Sequence, residues 1–268
     1  MAASEDGSAK EIVMKIVAPS LGFVLANVMF FSGVPAMLRC KRAGGLGDMN
    51  PMPFPVVMAN CLAWIAYSLI IEDYFLFFSN APGCMVGVYF TLVAYGLSPF
   101  ASKMRDALEQ CLMGMVFALL ALTLYVGIVA RDEPTAHKKT TVGLFANAVL
   151  LVYYAAPLST VKEVLATRNS KSLYFPIAVA NTVNGTAWFV YGLALEDPYI
   201  YAPNAVGATL GVLQIGLIVM FPGAKHDTSP APSTMGSTSD LLMMDAQGVV
   251  EGRLAPGGVA AGGAEGRV

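Results

Sequence analysis

The sequence contains few charged residues. Asp, Glu, Lys and Arg make up 13% of its 268 residues, where soluble domains carry roughly 25%. Hydrophobic residues make up 56%, and the mean hydropathy is +0.62. This composition argues against a water-soluble domain and predicts a protein of the lipid bilayer.

Cysteine and histidine are scarce as well. The four cysteines show no paired spacing in the predicted outer loops, and both histidines, His137 and His226, lie outside the apolar runs. We therefore predict no disulfide framework, no metal site and no cofactor. The net charge of −2, without a basic stripe, gives no sign of a nucleic-acid partner.

Seven apolar runs are each close to the roughly 20 residues that a spanning helix needs. They cover residues 12–38, 53–71, 74–99, 110–130, 140–161, 173–195 and 199–221. Apart from Lys15 near the start of the first run, they contain no Asp, Glu, Lys, Arg or His. A charge in the middle of a bilayer costs on the order of 3 kcal/mol or more and is kept where an ion or proton path needs it. Its absence predicts a neutral substrate, no proton relay and no intramembrane enzyme.

One segment of the chain occurs twice. LAWIAYSLIIEDYFLFFSNAPG, residues 62–83, is repeated 124 positions later as TAWFVYGLALEDPYIYAPNAVG, residues 186–207. Residues 60–83 share ten identities with their copy, and the match includes both tryptophans of the protein. Upstream, a slip of two residues aligns Pro35 with Pro157. The pattern indicates a duplicated three-helix unit.

Three spans end on the side of the membrane opposite to where they began, so a directly fused copy would be inverted. The unmatched fourth run returns the chain and makes the copies parallel, a repeat class found among transporters. We predict an all-α membrane protein with seven transmembrane helices, built as two parallel three-helix bundles joined by a linker helix (3+1+3). The predicted parts are a short extracellular N-terminus at 1–15, a first repeat at 16–100, a linker helix at 101–135, a second repeat at 136–222 and a disordered cytoplasmic tail at 223–268.

The predicted orientation follows from the Lys and Arg residues near the helix ends. Nine lie on the side of the C-terminal tail and five on the other. Since positive residues collect on the cytoplasmic side, we expect the tail in the cytoplasm and the N-terminus outside, with the plasma membrane as the expected location.

Duplicated polar residues within the runs are the candidates for a binding site, because transporters of this class bind near the interface of their repeats. Tryptophan rings suit the apolar face of a sugar, and amides offer its hydroxyls both a donor and an acceptor. The candidates are Trp64, Trp188, Asn80 and Asn204. Helix packing is the alternative for the tryptophans, and it is the favoured interpretation for Asn60 and Asn184.

Prolines cluster near the predicted inner ends of the first two helices of each repeat, where a missing amide hydrogen bond leaves a hinge or simply ends a helix. They are Pro35, Pro53, Pro55, Pro157 and Pro176. We predict an inner gate there. The outer-gate candidates are Tyr67, Tyr191, Asp73 and Asp197.

In these segments the chain resembles the SWEET family of sugar facilitators, seven-helix proteins made of two three-helix units and a linker helix. The resemblance covers about residues 16–221 and rests on SGVP, PMPFPVVMANCLAWIAY, YAAPL and NGTAWFVYGLALEDPYIYAPNAVG. It implies sugar binding at the two Trp and two Asn candidates and an outer gate that includes Tyr67 and Asp197. It also implies an inner-gate tetrad at Pro35, Pro53, Pro157 and Pro176, in which Pro55 competes with Pro53.

The resemblance implies uncoupled, bidirectional transport of mono- or disaccharides, of the glucose or sucrose class, by alternating access. It allows a homo-oligomer, for which the sequence carries no signal. Phe31 and Tyr153 stand one turn before Pro35 and Pro157; if they face the pocket, they narrow it towards monosaccharides. The alternative is a seven-helix signalling receptor, which the string DPYIY favours and the parallel duplication opposes.

Overall fold

The computed structural model describes residues 8–47 and 49–222. In these residues the chain forms seven helices and no strand. The helices are α1 (Ser8–Ala43), α2 (Pro53–Ile71), α3 (Tyr74–Leu97), α4 (Lys103–Val129), α5 (Thr135–Thr167), α6 (Phe175–Ala194) and α7 (Pro198–Met220). The predicted all-α fold is confirmed, while the tail at 223–268 and residues 1–7 of the N-terminal segment lie outside the described residues.

Helix bounds differ from the apolar runs in α1, α4 and α5; α4 begins at Lys103, seven residues before its run. Helix α1 begins at Ser8, inside the segment predicted as an extracellular terminus, and α5 extends beyond its apolar run at both ends. Polar residues can continue a helix past the hydrocarbon, so the hydropathy pattern marks the membrane and not the helix end. Six helices are long and apolar enough to span a bilayer; α6 is the exception. Its polar residues are Asn181, Thr182, Asn184 and Thr186.

Helix α1 is interrupted at Gly33, about ten residues before its end. One helical stretch ends at Ser32, and a second, Val34–Ala43, begins after Gly33 with Pro35 in its first turn. Proline is tolerated there because the first turn of a helix has no intrahelical partner for the missing N–H. Helix α5 contains Pro157 within one continuous helix. The first helices of the two repeats therefore differ in continuity.

The duplicated Glu-Asp pairs build the same tight turn in each repeat. Glu72 and Glu196 adopt left-handed φ angles of 57° and 53° at the ends of α2 and α6. The next residue caps the following helix: Asp73 Oδ1 accepts the main-chain N–H of Leu76 at 2.8 Å, and Asp197 Oδ1 accepts one in α7 at 3.0 Å. Asp is a preferred N-cap because its carboxylate satisfies an N–H that lacks a helical partner. The pair thus ends one helix and starts the next.

Packing within the two repeats follows one scheme. The third helix of each repeat lies against both others, α3 against α1 and α2, and α7 against α5 and α6. Across the repeats, α1 packs on α6 and α2 packs on α5, which are equivalent contacts. Helix α4 lies outside this arrangement, against α2 and α3. These contacts give two like bundles related by a pseudo-twofold axis, with α4 as the linker.

Glycine allows the closest helix approaches. At Gly87 an added Cβ would lie 3.0 Å from the main-chain N of Met58, which brings α3 against α2. Its counterpart Gly211 meets Thr182 in the same way and brings α7 against α6. Small residues permit such approaches between helices in lipid, where no hydrophobic force draws helices together.

Candidate functional site

A cavity of about 230 Å³ lies between the two repeats. Its lining runs along α3 from Leu76 to Phe90 and along α7 from Ile200 to Gln214. At 1.5 Å per helical residue this is a length of about 20 Å. The lining residues lie in α1, α2 and α3 of the first repeat and in α5, α6 and α7 of the second. The cavity therefore follows the axis between the repeats.

The lining repeats itself with a constant offset of 124 residues. Twelve pairs of lining residues are related by this offset. They are Ala26 and Leu150, Met29 and Tyr153, Phe30 and Tyr154, Gly33 and Pro157, Val57 and Asn181, Asn60 and Asn184, Trp64 and Trp188, Leu76 and Ile200, Asn80 and Asn204, Val86 and Leu210, Gly87 and Gly211, and Phe90 and Gln214. The cavity is thus lined by equivalent positions on both sides of the pseudo-twofold axis.

All four residues predicted to bind substrate line this cavity. Trp64 and Trp188 are each 6% exposed. Asn80 donates through Nδ2 to the carbonyl of Leu76 at 2.8 Å, and Asn204 uses Nδ2 in the same way within α7 at 2.7 Å. Each amide keeps its oxygen and one N–H for another partner. The structure therefore brings two aromatic faces and two half-satisfied amides together, and sugar binding by them stays a prediction.

Asn60 and Asn184 also line the cavity, although the sequence favoured a packing role for them. The Oδ1 atoms of both are buried and have no hydrogen-bond partner within the described residues. A buried acceptor without a partner costs about 1–3 kcal/mol, so such groups generally have a partner in protein, water or ligand. Both residues stand one turn before a cavity tryptophan. Their duplication was the sequence signal for a shared role.

Two hydrogen-bonded latches close one end of the cavity. The Tyr67 hydroxyl donates to the two carboxylate oxygens of Asp197 at 2.9 and 2.7 Å. The Tyr191 hydroxyl donates to Asp73 Oδ2 at 2.6 Å. Each latch joins the second helix of one repeat to the start of the third helix of the other. The end of the molecule that holds both pairs is called the latch end below.

The aspartates of the latches are deeply buried, with Asp197 1% and Asp73 9% exposed. Lys139 in α5 adds an ion pair to Asp197 Oδ2 at 2.7 Å, whereas no ion pair joins Asp73 to the described residues. Each aspartate also caps a helix. The same aspartates therefore form the turns between helices and the latches that close the cavity. Asp197 also has an ion pair with Lys139, which the sequence did not reveal.

Aromatic rings surround each latch in equivalent positions. Tyr67 meets Trp64 edge to face at 5.7 Å, and Tyr191 meets Trp188 at 5.9 Å. A ring of the other repeat completes each cluster, Tyr199 at 6.0 Å from Tyr67 and Phe75 at 6.1 Å from Tyr191. These residues belong to one buried apolar cluster. The latch end is sealed by packed rings as well as by hydrogen bonds, and the cavity extends away from it.

Comparison with known proteins agrees with this architecture. A family model described as a sugar efflux transporter for intercellular exchange matches twice, at residues 19–99 and 140–226. The chain belongs to the SWEET family. The two matched segments hold the two repeats and leave out α4 between them, as the 3+1+3 fold requires.

The relatives include SWEET proteins of plants and insects. A rice bidirectional sugar transporter, SWEET2a, is 29% identical over 86% of this chain and 94% of its own length. The Drosophila pseudoobscura sugar transporter SWEET1 is 26% identical over 74% of this chain and 85% of its own. A solved structure of a eukaryotic SWEET transporter has the same fold, with a TM-score of 0.71 over 80% of this chain and 98% of that one at 21% identity. The prediction that the chain is a multi-pass membrane transporter and not an enzyme is confirmed.

Within this SWEET chain the predicted proline tetrad does not gather around the cavity. Pro157 lines it, whereas Pro35 and Pro176 are exposed and Pro53 is half-buried at the start of α2. Pro55, its competitor, is buried and does not line the cavity. The role of these prolines in an inner gate stays a prediction.

The two-residue slip that paired Pro35 with Pro157 is wrong for the cavity. The lining pairs Gly33 with Pro157 at the same offset of 124 that holds in the other helices. The sequence alignment matched proline with proline, but the helix phase set by packing determines which residues face the axis. Glycine and proline occupy equivalent positions there.

The same offset of 124 residues shows which of the two pocket-size candidates, Phe31 and Tyr153, lines the cavity. Tyr153 lines the cavity, whereas Phe31 is 53% exposed and does not. The residues of α1 that face the cavity at this level are Met29 and Phe30. The expectation that Phe31 narrows the pocket is therefore wrong, because one residue of shift turns a side chain about 100° around a helix.

Proposed function

We propose that this SWEET protein carries an uncharged sugar down its gradient, in either direction, without coupling to an ion. The observation that supports the proposal best is the cavity lining. It pairs two tryptophans with four asparagines across the pseudo-twofold axis, and none of its lining residues is charged. A substrate that binds there must be neutral and rich in hydrogen-bonding groups. The family and the names of the relatives point to the same class of substrate.

The sugar is held by complementary chemistry from both repeats. The rings of Trp64 and Trp188 cover the apolar C–H faces of a pyranose. The side-chain amides of Asn60 and Asn184, which also line the cavity, hydrogen-bond to sugar hydroxyls. Asn80 and Asn204 supply the groups that their intrahelical bonds leave free. No proton or metal takes part in this binding, which is why transport is uncoupled.

The latches support a mechanism of alternating access. When they are closed, the ends of α2 and α3 are tied to those of α7 and α6, and the sugar reaches the tryptophans from the opposite end. When the latch hydrogen bonds break, the two repeats separate at that end and close at the other, where Gly33 and Pro157 face the axis. Since both latches cross between the repeats, they open together.

The preferred sugar is proposed to be a monosaccharide such as glucose. The cavity volume of about 230 Å³ is smaller than the roughly 300–1,000 Å³ of pockets for drug-sized ligands. The proposed location is the plasma membrane, with the latch end and the N-terminus outside; the positive residues near the helix ends support this orientation. In a homo-oligomer each subunit would still hold a complete cavity.

Counterflow in proteoliposomes tests the function. Liposomes preloaded with unlabelled glucose and given labelled glucose, sucrose or fructose are expected to accumulate label with glucose fastest, equally with and without a pH gradient. Acceleration by an inward proton gradient would contradict the uncoupled mechanism. The variant Thr209→Val is the matched control, because Thr209 is exposed on α7 and bonds only to its own helix.

A further inference from the structure

Away from the latch end, the two walls of the cavity differ in polarity. The first repeat contributes Val57 and Phe90, whereas the equivalent positions of the second repeat hold Asn181 and Gln214. Both amides therefore lie on one wall, opposite apolar side chains. Near the tryptophans, by contrast, the asparagines are duplicated in the two walls.

The two amides are available for a ligand. The side-chain amides of Asn181 and Gln214 make no hydrogen bond within the described part of the chain. Gln214 is only 7% exposed and faces the cavity. The close contact of Gly211 with Thr182 brings α7 against α6 at this level, which places Gln214 near Asn181. Because both amides line the cavity and make no side-chain hydrogen bond within the residues that the structure describes, their donors and acceptors are open to a ligand that enters it.

The opposite wall offers an aromatic face. Phe90 packs edge to face on Phe54 with ring centroids 5.3 Å apart, and both line the cavity. In the second repeat the position equivalent to Phe54 is Ala178, which does not line it. This part of the cavity therefore offers the same two kinds of group as the site at the tryptophans. Here the two aromatic rings belong to the first repeat and the amides to the second.

Gln214 lies at a distance from the site described above, whereas Asn181 stands three residues before Asn184, about 4.5 Å along α6, and borders that site. Gln214 follows Asn204 by ten residues of α7, and Asn181 precedes Trp188 by seven residues of α6. At 1.5 Å per residue these separations are about 15 and 10 Å along the cavity. A single hexose bound between the tryptophans does not reach Gln214.

We propose that Asn181 and Gln214, facing Phe54 and Phe90, form a second sugar-binding subsite that the transported sugar occupies between the tryptophan site and the end of the cavity opposite the latches. The inference rests on the proposed transport function. The amides bind the hydroxyls of the sugar, and the rings cover its apolar face. The sugar thus replaces hydrogen bonds to water with hydrogen bonds to these amides before it reaches the tryptophans. The subsite sets the rate of passage and not the affinity of the central site.

The test measures the rate of glucose transport separately from the affinity of the tryptophan site for glucose. The only tryptophans of the protein are Trp64 and Trp188, so the change of intrinsic fluorescence with glucose reports the central site. In the variant Asn181→Val with Gln214→Met, we expect glucose counterflow to fall about tenfold at low sugar concentration, as loss of one or two hydrogen bonds implies. The fluorescence titration should give an affinity within about twofold of the wild type. Thr209→Val is the control for both measurements.

A second variant keeps the test valid if the first folds poorly. Exchanging the walls, by Asn181→Val, Gln214→Phe and Ala178→Phe together with Val57→Asn, Phe90→Gln and Phe54→Ala, places the amides on the first repeat and both rings on the second. Because the pseudo-twofold axis makes these positions equivalent, counterflow is expected to recover to within about threefold of the wild type. A packing role for Asn181 and Gln214 would predict no recovery.

The possible failures are distinguishable. A wild-type protein with neither fluorescence response nor counterflow refutes the proposed function. An active wild type whose first variant transports glucose equally fast refutes the subsite alone. So does a variant in which central affinity falls as much as counterflow, because the two amides would then belong to the tryptophan site.

Discussion

The two repeats of this SWEET protein share the contacts that close the cavity but differ in the contact between their first and third helices. In the first repeat, Phe30 of α1 packs its ring on Gly83 of α3 without a hydrogen bond. In the second, the equivalent Tyr154 reaches Gly207 and donates its hydroxyl to the carbonyl of Pro203 at 3.0 Å. The α5–α7 contact is therefore hydrogen-bonded where the α1–α3 contact is apolar.

A further hydrogen bond strengthens the second repeat. Pro203 has no N–H, so the carbonyl of Tyr199 lacks its helical partner. Asn147 of α5 donates to this carbonyl at 3.1 Å. Helix α1 also breaks at Gly33, whereas α5 is continuous. The comparison indicates that duplication preserves the ligand and latch positions, while the stiffness of each half is free to diverge.

Removing a cavity tryptophan tests the shared part of the comparison and has the largest expected effect. Trp188→Ala and Trp64→Ala should each reduce glucose counterflow by tenfold or more, because burial of an aromatic ring contributes about 1.5–3 kcal/mol. The two losses should agree within about threefold if both halves bind the sugar alike. Counterflow is measured on variants that elute as monodisperse protein. A loss confined to one tryptophan would show that the site is functionally one-sided.

The latches are expected to respond unequally. Tyr67→Phe leaves Asp197 with its ion pair to Lys139, whereas Tyr191→Phe leaves Asp73 with its helix cap alone. A hydrogen bond to a charged group contributes about 1.5–3 kcal/mol. The melting temperature in detergent should therefore fall more in Tyr191→Phe than in Tyr67→Phe. Equal shifts would contradict a role of Lys139 in supporting its latch.

A double-mutant cycle sharpens the same point. Lys139→Met and Tyr67→Phe remove two partners of one buried carboxylate. The double variant should lose stability non-additively, with an interaction term of about 0.5–3 kcal/mol in thermal unfolding. The pair Lys139→Met with Tyr191→Phe acts on separate aspartates and is the control. Additivity in both pairs would mean that the ion pair is independent of the latch.

The shared features are the part of the site that the sequence could predict. Identities such as Trp64 with Trp188 persist at a constant offset, and a contact made at one copy is made again at the other. The sequence led to errors where matching residue types in the two repeats do not occupy equivalent positions in the helices. Pro157 is equivalent to Gly33 and not to Pro35 in the cavity lining, because helix phase, and not residue identity, decides which side chain lines an axis.

The features that differ between the repeats could not be predicted from the sequence, for a different reason. Asn181 and Gln214 have apolar counterparts, so the repeat gave no signal for them. Lys139 was counted as a flanking charge, and only the tertiary fold brings it to Asp197. Asn60 and Asn184 were visible, but an amide that binds a neighbouring helix and one that binds a ligand look the same in a sequence.

The smallest expected effect concerns the stiffness of the second repeat. Asn147 bonds both to Gly143 of its own helix and to Tyr199 of α7, whereas Asn27 in α1 bonds only to Phe23 of its own helix. A hydrogen bond between helices in a membrane averages about 0.6 kcal/mol. Asn147→Ala should lower thermal stability by about that amount, and Asn27→Ala, the matched control, should not. If both asparagines cost the same, the second repeat is not held more firmly than the first, because the bond to α7 then adds nothing to what an asparagine contributes within one helix.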